Sequence, residues 1–219
     1  MAGTAFETAL RTAVRQGEAA EDDSQGHALA KDPELRAVQE RFITYARTGT
    51  QKLRTVLRQS ADEQHRALAA QVIAYTEDKQ AVVPDLVFAM RDPNPGVRNN
   101  AMRALCVFSM MVPTEQRSVP QVPYEAFIAL LESVSFTDRN KASAALAELT
   151  RKRDPSLLAL LRRDAMTPLV EMARWNDTSH ALFAFSILAR IAGYSDSDAL
   201  KRFSSNDREI VIAAALHSQ

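Results

Sequence analysis

Residues 98–105, RNNAMRAL, and residues 139–146, RNKASAAL, agree at five of eight positions with an offset of 41. This repetition constrains the fold more than any other feature, because one short amphipathic helix cannot bury its own apolar face. Units of this kind have to stack on one another and share a continuous core. The period extends in both directions. Upstream, Arg66 in HRALAAQVIAY falls 32 residues before Arg98 and sets Ala69 on Ala101 and Ile73 on Leu105. Downstream, a further 41 residues from Arg139 reaches His180 in HALFAFSILARIAG, where the apolar pattern persists and the arginine does not.

Another helical segment precedes each of these: LRTVLRQ, VVPDLVFAMRD, YEAFIALLES and TPLVEMARW in turn. Each unit therefore reads as helix, tight turn, helix. The turn is clearest in RDPNPGVRNN, where Asp92 and Pro93 stop the first helix, Asn94, Pro95 and Gly96 reverse the chain, and Val97 starts the second helix against its partner. Apolar residues recur at helical spacing, as in Phe6, Ala9, Leu10, Ala13 and Val14, in Leu35, Val38, Phe42, Ile43 and Ala46, and in Val97, Ala101, Ala104, Leu105 and Phe108. No run alternates with period two for long enough to make a strand. The spacings predict an all-α, right-handed α-α superhelix of about four helical pairs, with helices of ~8 to 16 residues.

The 219 residues are 46% hydrophobic, enough for one sizeable or continuously stacked core. Lys+Arg 27 balance Asp+Glu 27, so no global field draws the chain to nucleic acid or to an anionic membrane. The single cysteine, Cys106, lies among apolar residues in ALCVF and reads as a small core filler. At the N-terminus, MAGTAFETALRTAVRQG lacks the ~7 to 15 apolar residues of a secretory leader, and no stretch approaches the ~18 needed to span a bilayer. The chain reads as soluble and, by default, cytoplasmic; a leader removed ahead of it would leave no trace. Thr4 reads as the cap of a first helix over 4–16.

The segment VVPDLVFAMRDPNPGVRNNAMRALCVF resembles a HEAT repeat, through the proline in its first helix (Pro84), its Asp-Pro turn (Asp92, Pro93), and the valine and arginine that open the second helix (Val97, Arg98). It is most similar to the short HEAT-like repeats that also occur in phycocyanobilin lyases. The resemblance covers about 51–192 and implies a polar ladder in which turn aspartates and helix arginines link neighbouring units. By that resemblance the ladder residues are Asp62 with Arg66, Asp92 with Arg98, and Asp138 with Arg139, the last pair with its aspartate moved beside the arginine. His180 departs from the pattern, so the ladder is expected to end before the fourth unit. The repeats are taken as 50–193, with N-terminal helices and an acidic loop at 1–49 and capping helices at 194–219. Asp32 and Pro33 read as the start of the helix ELRAVQERFITYA. GEAAEDDSQGH reads as a polar loop, VPTEQRSVPQVP and the helix PSLLALLRRD as insertions, and DREIVIAAAL as a closing helix.

Reactive chemistry has little to stand on. His27, His65, His180 and His217 lie on different elements without metal-ligand spacing, so neither a metal nor a cofactor is expected. Trp175 with Asp177 resembles the pair with which alkylpurine DNA glycosylases of the HEAT-like fold grip a damaged nucleotide, but a half-buried tryptophan at a helix end followed by an N-capping Asp177 or Thr178 is the stronger reading. Seven basic residues against two acidic ones give 139–163 a net charge of +5, a patch for an acidic partner or a solvated face. If Val97, Ala101, Ala104, Leu105 and Phe108 point inward, Asn99, Met102, Arg103 and Cys106 fall on other faces. Asn99 and Arg103, with Asn140 as the repeat of Asn99, then become the candidate residues of a concave binding groove. The expectation is a non-enzymatic scaffold with a protein partner, alone or as a module of a larger bacterial-type assembly. The alternatives implied by resemblance are a DNA glycosylase and a lyase-like accessory protein for a bilin-bearing partner.

Overall fold

The computed structural model describes residues 2–17, 20–114, 118–205 and 207–218. They form two compact units, Met1–Val122 and Pro123–Gln219, divided within the proline-rich stretch 112–123. Each unit is helical, and the fold is that of an all-α repeat protein.

In the first unit α1 (Ala2–Gln16) leads to a strap that contains β1 (Glu21–Asp22) and β2 (Leu29–Ala30), followed by α2 (Pro33–Gln59), α3 (Glu63–Ile73), α4 (Lys79–Ala89) and α5 (Pro95–Ser109). α1 begins at Ala2, so Thr4 lies inside the helix and not at its start. β1 and β2 form a two-residue antiparallel ladder inside the segment expected to be a plain polar loop. α2 is one helix of 27 residues, longer than expected and continuous across the anticipated boundary at 49/50. Gly49 does not break it, since one glycine inside a helix costs only about 1 kcal/mol, and the hydroxyls of Thr48 and Thr50 bond back to the carbonyls of Thr44 and Ala46.

The caps explain where the helices start. Asp32 accepts from the Leu35 amide ahead of Pro33, and Asn94 accepts from the amides of Gly96 and Val97 ahead of Pro95. Each carboxylate or amide oxygen satisfies donors that the first turn leaves open, and each proline sits where its missing N–H costs nothing. The PNPG sequence is therefore a capped helix start: α5 begins at Pro95, two residues before Val97. α5 packs on both α3 and α4. Two covered faces explain why Met102, placed on an outward face by the periodicity, is fully buried along with Val97, Ala101, Leu105 and Phe108. Side chains of this size each contribute roughly 1.5–3 kcal/mol when enclosed. Cys106 is half-buried.

The second unit contains α6 (Glu125–Leu130), α7 (Phe136–Leu149), a 3-10 turn at Thr150–Lys152, α8 (Pro155–Asp164), α9 (Met166–Ala173), α10 (Thr178–Ile191), α11 (Asp196–Ser204) and α12 (Arg208–His217). α10 is its central element, packed on α7, α8, α9, α11 and α12, and it buries Ala184, Phe185, Ile187 and Leu188 completely. α12 closes the unit with Val211, Ile212 and Ala215 turned inward. Arg190 joins the layers: it donates to both carboxylate oxygens of Asp196, to the Thr150 hydroxyl and to the Ala147 carbonyl. Among the described residues no helix is long and apolar enough to cross a membrane.

Candidate functional site

The second helices of two successive pairs, α3 and α5, leave a recess between them in the first unit. Gln71 and Ala74 from α3, Tyr75 just beyond it, and Asn100, Arg103, Ala104, Val107 and Phe108 from α5 form its walls and floor. The α5 residues recur at helical spacing along one face, with the apolar ones below and the amide and guanidinium above. Gly26, His27 and Ala28 of the strap close one side, and the space amounts to about 360 Å³ with its open mouth included.

Specific bonds seat the strap. The Tyr75 hydroxyl donates to the Ala28 carbonyl at 2.8 Å, and the Ala30 amide donates to Gln39 Oε1 at 2.6 Å. His27 lies 5.0 Å from the Tyr75 ring and 3.3 Å from the nearly buried Lys79 ammonium. Gly26 has a φ of +72°, a left-handed backbone that favours glycine, and a Cβ there would displace the flexible end of the Met111 side chain. Glu21 spans the arrangement: Gln39 Nε2 donates to one carboxylate oxygen at 3.0 Å, and Arg103 donates to the other. Burial pushes the Arg103 guanidinium below its ordinary pKa, and burial also holds the Tyr75 hydroxyl well above its usual range. Asp23 is raised by burial and by the neighbouring Asp22, and one of its carboxylate oxygens is buried without a hydrogen-bond partner.

Of the residues singled out by periodicity, Arg103 lines the recess and is already engaged by Glu21. Asn99 is half-exposed and does not line it; the adjacent Asn100 does, and its Nδ2 donates to the Ala67 carbonyl of α3 at 2.9 Å. Asn140 lies in the second unit, with its Oδ1 2.9 Å from His180 Nδ1. Gln71, Tyr75 and, as a wall of the recess, His27 are not signalled by the spacing, because they belong to another repeat and to a strap, which no period within α5 connects to it. The only hint was acidic: GEAAEDDSQGH carries the carboxylates that an isolated Arg103 lacks.

Among the ladder residues a helix arginine and a turn aspartate do bond across neighbouring pairs, as Arg66 with Asp92. Arg66 donates to both oxygens of Asp92 in the next pair, while Asp62 accepts from the Gln64 and His65 amides as the cap of α3. Arg98 donates to the Asp92 and Pro93 carbonyls, as Arg66 does to those of Ser60 and Ala61. Asp138 is buried and accepts from Ser133, while Arg139 reaches Glu171.

Trp175 is half-buried, with Phe136 at 5.4 Å and the Arg139 guanidinium 5.1 Å from its ring centroid. Asp177 caps α10 through the Ser179 and His180 amides. The basic stretch 139–163 is largely neutralised by acids outside it: Arg139 by Glu171, Arg153 by Asp196 and Arg163 by Asp164. Among the described residues no group of three His, Cys, Asp or Glu side chains could hold a metal ion.

Residues 50–121 match the family model for HEAT repeats. Solved structures similar to the chain include a computationally designed armadillo repeat protein for modular peptide recognition, at 20% identity and a TM-score of 0.53, over 84% of this chain and 93% of that one. A second designed armadillo repeat protein is similar at 17% identity and a TM-score of 0.52, over 90% and 97% of the two chains. An engineered protein aligns at 19% identity with a TM-score of 0.54, over 86% and 93%. A search of curated proteins returns no match. At these identities the structural likeness concerns the fold alone, that of an all-α armadillo-like repeat array, and within the chain residues 50–121 match the model for HEAT repeats.

Proposed function

We propose that the chain is a non-enzymatic scaffold that binds an extended segment of a partner protein in the recess between α3 and α5. The observation that carries this reading is the composition of the recess: an apolar floor of Ala74, Ala104, Val107 and Phe108 beneath Gln71, Asn100 and Arg103. Amide and guanidinium groups at the rim recognise backbone and polar side chains, and the floor takes an apolar or aliphatic one. The designed armadillo proteins of the same fold support the reading, since one is described as built for peptide recognition and another, at a TM-score of 0.50, is in complex with the peptide (KR)4. In the second unit Asn140 and His180 join successive second helices, α7 and α10, as Asn100 joins α5 to α3. Asn99 is proposed as a secondary contact of the first unit, and Asn140 as a contact that the second unit offers by itself.

Selection of unstructured twelve-residue peptides on the folded chain tests the proposal. Peptides recovered on the wild type are expected to lose binding to Gln71→Trp, which fills the recess from a half-exposed position, and to weaken with Gln71→Ala. Undiminished binding to Gln71→Trp would move the site elsewhere.

A further inference from the structure

The strap indicates which peptide the recess takes. Arg103 stands at the rim of the recess, and the only acidic side chain hydrogen-bonded to it among the described residues is Glu21, which comes from the strap and not from a helix of the repeat. Glu21 does not itself line the recess, but it holds the guanidinium that a ligand group in the recess would also meet. We propose that the partner presents an acidic segment, that one of its carboxylates takes the place of Glu21 on Arg103, and that the strap is thus an internal competitor for the partner. The proposal rests on the reading of the recess as a peptide site and adds the charge of the peptide and the means of its control.

One further observation supports the exchange. Glu21 also has a second partner in Gln39 Nε2, 3.0 Å away. Releasing Arg103 therefore does not leave the Glu21 carboxylate unbonded. A carboxylate exchanged for a carboxylate conserves the charge-assisted bond to Arg103, so the contest is decided by the other contacts that each segment makes.

Fluorescence anisotropy with a labelled octaglutamate peptide tests this on the full chain, in the wild type, Glu21→Gln, Arg103→Gln and Arg103→Lys, each first shown to melt cooperatively. Glu21→Gln is expected to bind about tenfold more tightly than the wild type, the scale of one hydrogen bond to a charged group. Arg103→Gln should abolish binding, and Arg103→Lys should retain part of it. Equal affinity of the wild type and Glu21→Gln, or an unaffected Arg103→Gln, would overturn the proposal. A Lys-Arg octapeptide that binds while octaglutamate does not would overturn it too and leave the peptide reading standing, whereas failure of every selected peptide would remove both. Equal binding of an eight-residue thymidine oligonucleotide to Glu21→Gln would overturn the acidic-peptide class in favour of a polyphosphate.

Discussion

Arg66, near the start of α3, grips both carboxylate oxygens of Asp92 in the turn after α4, at 2.7 Å from Nε and 3.0 Å from Nη2. The bond links one helical pair to the next, and its third arm, Nη1, closes on the Ser60 and Ala61 carbonyls of its own pair. The carboxylate is only 6% exposed, so truncating either partner leaves polar groups without a bond in a place that water barely reaches. Asp92→Ala is expected to cost about 2 kcal/mol, and Arg66→Ala should act in the same direction. Arg163→Ala, at a 73% exposed arginine, should leave the urea midpoint almost unchanged. Midpoints that fall equally for all three variants would show that the Arg66–Asp92 bond does not hold the pairs together.

The same carboxyl makes stability depend on pH. Burial alone would raise the Asp92 pKa, but hydrogen bonds from Arg66 and from the Asn94 amide outweigh it and set the net shift downward. Asp196 is lowered chiefly by its hydrogen bonds from Arg190. A carboxyl whose folded pKa lies below the unfolded one contributes its full stability above the unfolded value of ~3.9 and loses it as pH falls through the folded value. Stability should therefore hold from pH 7 to about 5 and decline below about 4. Urea midpoints of the wild type and Asp92→Asn are expected to converge as pH is lowered through that window; a constant gap would mean that the carboxylate charge is not the source.

The fold was legible because its signal lies along the chain: RNNAMRAL and RNKASAAL announce stacked pairs, and the Asn94-Pro95 and Asp32-Pro33 dipeptides mark helix starts through local chemistry alone. The recess was only half legible. Arg103 could be placed on a face by its spacing, but its environment depends on Glu21, 82 residues away in sequence, and no periodicity reports a strap folded onto a groove. The net charge of the stretch 139–163 has the same limit: a window of sequence counts its own charges and omits Glu171 and Asp196, which the fold returns to it.

Asp23 runs opposite to Asp92. Its pKa is raised by burial and by Asp22, so the folded chain holds the proton more tightly than the unfolded chain, and the ionised form costs stability at neutral pH. Asp23→Asn removes that charge at little change in shape and is expected to stabilise the first unit by about 0.5 kcal/mol, a small value because the side chain remains partly solvated. The gain should vanish as pH drops below about 4, where both states are protonated. Thermal melts at pH 7 and pH 3.5 check this, and a loss of stability at pH 7 would mean that the carboxylate has a favourable partner.

Gly26→Ala tests the strap itself, since alanine there must adopt a φ of +72° and meet the Met111 sulfur. A cost of about 1–3 kcal/mol is expected from the left-handed backbone and the overpacking together. Hydrogen exchange should quicken first at the Ala30 and Lys31 amides, which anchor the strap to Gln39 and Ala20. Unchanged protection at these amides would show that the strap does not depend on the turn at Gly26.

Trp175 is the chain's sole tryptophan, so its emission reports on the second unit alone. Phe136 and the Arg139 guanidinium lie close to its ring, and Asp177 spends its carboxylate on the first turn of α10. An aspartate engaged as a cap is poorly placed to act as a base, and a ring with these neighbours has little free face to grip a nucleotide. Duplex DNA bearing alkylated purines is therefore expected to leave Trp175 emission unchanged and to release no base, while Asp177→Ala should lower the melting temperature modestly through loss of the cap. Base release that Asp177→Asn abolishes, with the melting temperature preserved, would make Trp175 and Asp177 a glycosylase site and displace the peptide-binding reading from first place.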